Sequence, residues 1–200
     1  MILLNKMFKA LFKIIKFPSN KTSKRLHLGC GRIHIDGWCN VDITPMSTVD
    51  ITDNVVTLKK FKKNFAEEIY VCHVLEHFSH KEIPSILKRW FDILKPGGII
   101  RISVPDIDRI VKIYNNNWEH FQKDGNTPWI GLLYGGQNDK YDYHKTGFNF
   151  NWMKRLLTDV GFREIKEYPH EPHFIGGIKD GSLSKEPFGE YISLNIKAKK

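Results

Sequence analysis

Long apolar runs are missing from this chain of 200 residues. No 18 consecutive residues are apolar, so no segment is built to cross a bilayer as a helix. Cysteine is scarce too. Cys30, Cys39 and Cys72 are odd in number and none lies in C-x-x-C spacing, which argues against a disulfide framework or a cysteine zinc site and points to a reducing cytoplasm. Acids are absent from residues 1–25, where Lys6, Lys9, Lys13, Lys16, Lys21, Lys24 and Arg25 supply seven of the net +9 charges. The remainder therefore carries only +2, and the folded body gives no strong nucleic-acid signal. Internal repeats are lacking. The apolar (41%) and charged (26%) fractions are ordinary, and the length suits one domain with a sizeable core.

The basicity belongs to an N-terminal arm, residues 1–23. Leu4, Met7, Phe8, Leu11, Phe12 and Ile15 fall at helical spacing on one face, opposite Lys6, Lys9, Lys13 and Lys16. Lysines interrupt the apolar run and no small-residue cleavage site follows, so the arm is not a signal peptide. Two readings stay open. The helix lies in an anionic membrane interface, placing the protein peripherally on the inner face, or it packs on the domain or on a second copy, giving a homodimer.

The remaining residues, 24–200, are organised around "KRLHLGCGRIHIDGWCNVDI", Lys24 to Ile43. Leu26 and Leu28 mark a short strand, Gly29-Cys30-Gly31 a tight turn, and Val41-Asp42 the end of a second strand. Glycines at a strand's C-terminal end let backbone approach a ligand, and that edge is where open α/β sheets bind. The acid closing the next strand can accept hydrogen bonds from two ribose hydroxyls. Only Arg32–Asn40 separate the turn from that strand, too few for a crossover helix. Val49–Ile51 follows almost at once, so the first crossovers are shortened.

Downstream, Thr57–Asn64 suggests a short basic helix before a strand at Glu68–Cys72. Ser79 and Glu82 resemble a capping box before the apolar stripe Ile83, Ile86, Leu87, Trp90, Phe91 and Leu94. Lys95-Pro96-Gly97-Gly98 turns into a strand at Ile99–Val104, and Asp106 caps a further helix. Residues 115–147 lack a clean period but hold Trp118, Trp129, Tyr134, Tyr141 and Tyr143, the composition of a functional lid or of a disordered segment. A helix over Asn149–Val160 ends at Gly161. Strands at Arg163–Tyr168 and Tyr191–Lys197 have no helix between them. The order predicts an α/β fold with an open, mostly parallel sheet and an antiparallel addition at one edge.

"LHLGCG", "GWCNVDI", "HVLEHF", "LKPGGIIRISVPD", "GLLYGGQ", "HKTGF", "LLTDVGF" and "ISLNIKAKK" occur in an order that resembles class I S-adenosylmethionine-dependent methyltransferases. The closer likeness is to the small bacterial group related to type-11 methyltransferases. The resemblance covers nearly everything from Lys24 onward. It implies a Rossmann-like sheet with an antiparallel last strand and S-adenosyl-L-methionine over the first strands' C-terminal ends. Gly29, Cys30 and Gly31 would line the methionine and ribose portion, and Asp42 would hold the ribose hydroxyls. Asp50 or Asp53 would lie near the adenine, with His73 and Val74 beside the transferable methyl. One departure stands out: His27 occupies the place where an Asp or Glu usually precedes the glycines.

His144 follows the aromatic loop, where an acceptor would approach, and a neutral histidine is a suitable general base near pH 7. His77 is the second candidate, and a surface loop histidine is the bland alternative for His144. Tyr134, Gln137 and Tyr143 are candidate acceptor contacts. His73, Glu76, His77 and His80 invite a metal reading, but structural or pocket-lining roles outweigh it, and no metal is expected. A hydroxyl acceptor needs a base and a carboxylate does not. The expectation is O-methylation of a small molecule or of a sugar in surface-polysaccharide biosynthesis. A nucleic-acid methyltransferase and a non-catalytic cofactor-binding or membrane-associated protein are the alternatives.

Overall fold

The computed structural model describes residues 20–119, 128–170, 179–185 and 189–200. Most of the basic arm, residues 1–19, lies outside them, as does His173 of the "YPHEPHF" segment. Seven strands form one sheet: β1 (Arg25–Leu28), β2 (Cys39–Asp42), β3 (Ile51–Thr52), β4 (Ala66–Cys72), β5 (Leu94–Pro105), β6 (Arg163–Glu167) and β7 (Ser193–Lys199). Their spatial order is β3-β2-β1-β4-β5-β7-β6. The five strands from β3 to β5 pair in parallel, while β7 runs antiparallel to both β5 and β6. The reversed element is therefore β7 alone, inserted between β5 and β6.

Parallel register puts Leu26 beside Cys39 and Ile69, and Leu28 beside Val41 and Val71. With period two along each strand, these side chains share one face with Ile100, Ile102, Leu194 and Ile196, all buried. Helix α1 (Ile83–Ile93) buries Ile83, Ile86, Leu87, Trp90 and Ile93 on that face, and α4 (Phe150–Val160) adds Met153 and Leu157. Two further helices, α2 (Ile107–Asn116) and α3 (Pro128–Tyr134), form a smaller cluster in which Ile110 and Ile113 meet Ile192, Leu132 and Leu133. None of the described helices is long and apolar enough to cross a membrane.

Several expectations need correction. Residues 57–64 are turns and not a helix. The Arg89 guanidinium donates to the carbonyls of Thr57, Leu58 and Phe61, so a side chain from α1 takes the place of helical hydrogen bonds. Leu58 and Asn64 have positive φ, which no α-helix tolerates. Strand β5 begins at Leu94: Ala66 pairs with Leu94 and Glu68 with Ile99, so residues 95–98 bulge out of the ladder and do not end it. Pro84 is accommodated in the first turn of α1, as its missing donor requires. Glu82 takes hydrogen bonds from the Ser79 amide and hydroxyl, so only half of a reciprocal capping box forms. The aromatic segment contains the helix α3.

Candidate functional site

The C-terminal ends of β1, β2 and β4 meet at one rim. After Leu28 the amides of Gly29 and Cys30 both donate to the Val41 carbonyl, folding the turn back onto β2. Gly29 and Gly31 both have positive φ. A Cβ at Gly29 would lie 2.4 Å from Val74 Cγ2, whereas one at Gly31 would meet nothing within 4 Å. The turn is thus closed on the β4 side and open above Gly31. Asp42 closes β2 here. Its Oδ2 accepts from the Gly31 amide and its Oδ1 from the Thr44 amide, both at 2.9 Å. Each oxygen keeps one lone pair, which suits a ligand with neighbouring hydroxyls.

The other acids behave differently. Asp53 sits beside Asp42, its amide donating to the Asp42 carbonyl, and its carboxylate accepts from the Asn54 and Lys60 amides. Asp50 lies a step further from the rim. It accepts from the Asn40 amide and side chain and from the Asn20 amide, which ties β2 to the segment before β1. The Cys30 thiol is buried and its pKa is pushed up to about 12 by burial, so only its backbone serves the rim. His27 does not face the rim. It stacks on Tyr70 on the far face of the sheet, with Nδ1 3.1 Å from Asn40 Oδ1, and burial lowers its pKa to about 4.

Beyond β4 the chain enters a 3-10 turn, Leu75–His77. His73 precedes it with a positive φ, and its ring presses against Gly181. The Ser193 hydroxyl spends its one proton on the Gly181 carbonyl, at 2.7 Å, so the contact of 2.9 Å from His73 Nε2 to Ser193 Oγ requires the proton on Nε2. His73 Nδ1 is then a bare lone pair, and it faces Glu76 Oε1 at 3.3 Å. Glu76 is fully buried, and among the described residues neither of its carboxyl oxygens has a hydrogen-bond partner. Burial pushes its pKa up to about 8 and lowers that of His73 to about 4.

The long loop returns to this turn. The amides of Lys145 and Thr146 both donate to the Glu76 carbonyl, and the Thr146 hydroxyl donates to the Phe78 carbonyl. His144 and His77 thereby meet edge-on, their ring centroids 5.1 Å apart. His77 Nδ1 lies 3.2 Å from the Tyr143 carbonyl and His144 Nδ1 lies 3.1 Å from the Leu132 carbonyl, which assigns the proton to Nδ1 in each neutral ring. Burial lowers both pKa values. The Tyr143 and His73 carbonyls partly offset this for His77, and the neighbouring His77 reinforces it for His144. One ligand atom from each of Glu76, His77 and His144 lies within 4.8 Å of the other two.

Tyr134 and Tyr143 are exposed, and Gln137 has a positive φ in a turn where its amide donates to the Asp142 carbonyl. The His144 amide donates to the Tyr134 carbonyl, so residues 134–144 form a closed excursion from the end of α3. His170 contacts the Ser193 carbonyl through Nε2 at 2.7 Å and stacks on Tyr191. His80 is exposed and outside the cluster. The sequence offers Glu76 only within a metal reading, and its full burial is not legible there. The His73-x-x-Glu76-His77 spacing was its signal, but the burial that matters comes from loop residues far along the chain.

No protein-family model matches the chain, and no curated protein does. Solved structures do match. An S-adenosylmethionine-dependent methyltransferase from Archaeoglobus fulgidus superposes with a TM-score of 0.55 at 15% identity, covering 100% of this chain and 93% of that one. Another, from Methanosarcina mazei, gives 0.54 at 19%, covering 95% and 98%. A third, from Thermotoga maritima, gives 0.51 at 14%, covering 100% and 97%. At such identities the likeness is one of fold, and the fold is the one these methyltransferases share.

Proposed function

We propose that the chain is an S-adenosylmethionine-dependent methyltransferase of class I, related to the small type-11 group. One observation carries the reading: a glycine turn closed by Val74 and open above Gly31, with Asp42 keeping free lone pairs beside it. The residues fit the cofactor. Gly29, Gly31 and the Cys30 backbone would hold the methionine and ribose portion, Asp42 the ribose hydroxyls, and Asp53 would stand near the adenine. Asp50, engaged with Asn40, would support the rim from behind. His73 and Val74 would close the site on the β4 side. When bound, the cofactor supplies a methyl group already activated on a sulfonium, so much of the acceleration comes from orienting the acceptor.

The finer reading is O-methylation of a small molecule or of a sugar of a surface polysaccharide. It is supported by two adjoining half-buried imidazoles, His77 and His144, either of which would take the proton that an acceptor hydroxyl must lose. Tyr134, Gln137 and Tyr143, on the adjoining excursion, would contact the acceptor. The chain would work in the cytoplasm, with the arm of residues 1–23 either resting on the inner membrane face or joining two copies.

Calorimetry tests the core of this. The purified chain should bind S-adenosylhomocysteine, and Asp42→Ala should weaken binding about tenfold or more, since a hydrogen bond to a charged group contributes roughly 1.5–3 kcal/mol. Absence of binding by the unmutated chain would overturn the assignment.

A further inference from the structure

The cluster at the end of β4 is made of acceptors. His73 Nδ1 is bare because Nε2 holds its proton against Ser193. His144 carries its proton on Nδ1, toward the Leu132 carbonyl, and His77 carries its own toward the Tyr143 carbonyl, which leaves Nε2 as the lone-pair atom of each. Into this group projects a fully buried carboxyl whose two oxygens have no hydrogen-bond partner among the described residues. A buried polar group without a partner is destabilising, the more so if charged. Lone pairs converging on an unsatisfied carboxyl lack a positive charge at their centre.

We propose that Glu76, His77 and His144 bind a divalent transition-metal ion. The donor set selects the metal class. Imidazole nitrogen suits zinc, iron, nickel and copper, whereas magnesium and calcium prefer oxygen throughout. Three protein ligands with space for a fourth is the pattern of open zinc sites. Each histidine is oriented by a backbone carbonyl at Nδ1, the usual support for a ligating imidazole. The candidate ligand atoms lie within 4.8 Å of one another. Ligands about 2.1 Å from a shared tetrahedral zinc stand about 3.4 Å apart, so the side chains must close by up to about 1.4 Å. Both rings are half-buried.

The ion would lie beside Val74, which abuts the glycine turn. Its open position would thus face the acceptor side of the rim and take an acceptor oxygen. The two imidazoles would then act on the acceptor through the ion. The cation site stands without the methyl-transfer reading, whereas its role toward an acceptor rests on that reading.

The test uses the whole chain, stripped with chelator and titrated calorimetrically with zinc chloride and, separately, magnesium chloride, with no cofactor present. One equivalent of zinc should bind, far more tightly than magnesium. Glu76→Gln and His144→Gln should each weaken zinc by at least the roughly 10–100-fold that loss of an outer-shell partner costs. His80→Gln, altering an exposed histidine outside the cluster, should bind like the unmutated chain. Absence of zinc binding, or unchanged affinity in both Glu76→Gln and His144→Gln, would overturn the site. Circular dichroism checks each variant's fold; should Glu76→Gln fail to fold, His144→Gln, at a half-buried loop position, decides alone. Because no cofactor is added, failure here leaves the S-adenosylhomocysteine result untouched, and the reverse holds too.

Discussion

The two faces of the sheet are built on different principles. One carries Leu26, Leu28, Val41, Ile69, Val71, Ile100, Ile102, Leu194 and Ile196 under α1 and α4, and hydrophobic burial holds it. The other carries His27, Asn40, Tyr70, Ser103 and Asn195, all buried and mostly polar. Where a longer crossover would lay a helix over β1 and β2, residues 29–38 supply Ile35 and Trp38, packed on Tyr70, with the partly buried Ile33 beside them. Hydrogen bonds do the rest. Asn40 bonds His27, Asp50 and the carbonyls of Ile35 and Trp38, while Tyr70 donates to Asp180 and Asn195 to the Ser182 carbonyl. A parallel sheet normally wants apolar cover on both faces. Here the short connections leave one face to polar pairing, which specifies position well and tolerates little error.

Perturbing each face in turn sharpens the contrast. The largest effect is expected on the apolar side. Trp90→Ala removes a fully buried ring and the donor to the Val55 carbonyl, and should cost about 3–5 kcal/mol in urea unfolding. The polar face should show itself through acid. His27 takes its proton at about 4 in the folded chain against 6.5 for the free group. The unfolded chain therefore binds more protons between those values, so stability is whole above pH 6.5 and drains away as pH falls toward 4. At about 1.4 kcal/mol per pH unit, His27 contributes up to roughly 3 kcal/mol of that loss. Unfolding of His27→Gln, measured from pH 7.5 to 4.5, should show a shallower slope. His73, lowered in the same sense, is opposed by Glu76, whose raised pKa adds stability as pH falls, so these two largely offset and the remaining slope is small. A parallel slope in His27→Gln would mean that the histidine is not what makes this face acid-sensitive. The smallest effect belongs to Tyr70→Phe, which keeps the ring on His27 but removes the 2.5 Å bond to Asp180, at about 1–2 kcal/mol.

This division explains what could be read from the residues alone. Leu26, Leu28, the glycine turn and Asp42 are legible because each signal is local: alternation, a residue with unusual backbone freedom, an acid at a strand end. The apolar stripe of α1 is legible for the same reason. The turns at 57–64 were not, because Leu58 and Phe61 mimic helical spacing while Arg89, distant in sequence, supplies the bonds that hold them as turns. The start of β5 was hidden likewise. Its bulge at 95–98 is closed by Lys200, whose carbonyl accepts from Gly97 and whose amide donates to Gly98. Glu76 resembles an ordinary helix-end charge until Lys145 and Thr146 fold over it.

The insertion of β7 between β5 and β6 bears on how the protein is made. A ribosome delivers β1 to β5 first, in an order that lets each parallel strand find its neighbour as it appears. Strand β5 then presents an open edge, and β6 emerges with no place in the sheet at all, since among the described residues its only strand partner is β7. Both wait until Ser193–Lys199 has been synthesised and threads between them. For that interval the nascent chain carries an unpaired edge of the kind that recruits foreign strands. Newly made chains, more than mature ones, are where aggregation and a need for chaperones should concentrate.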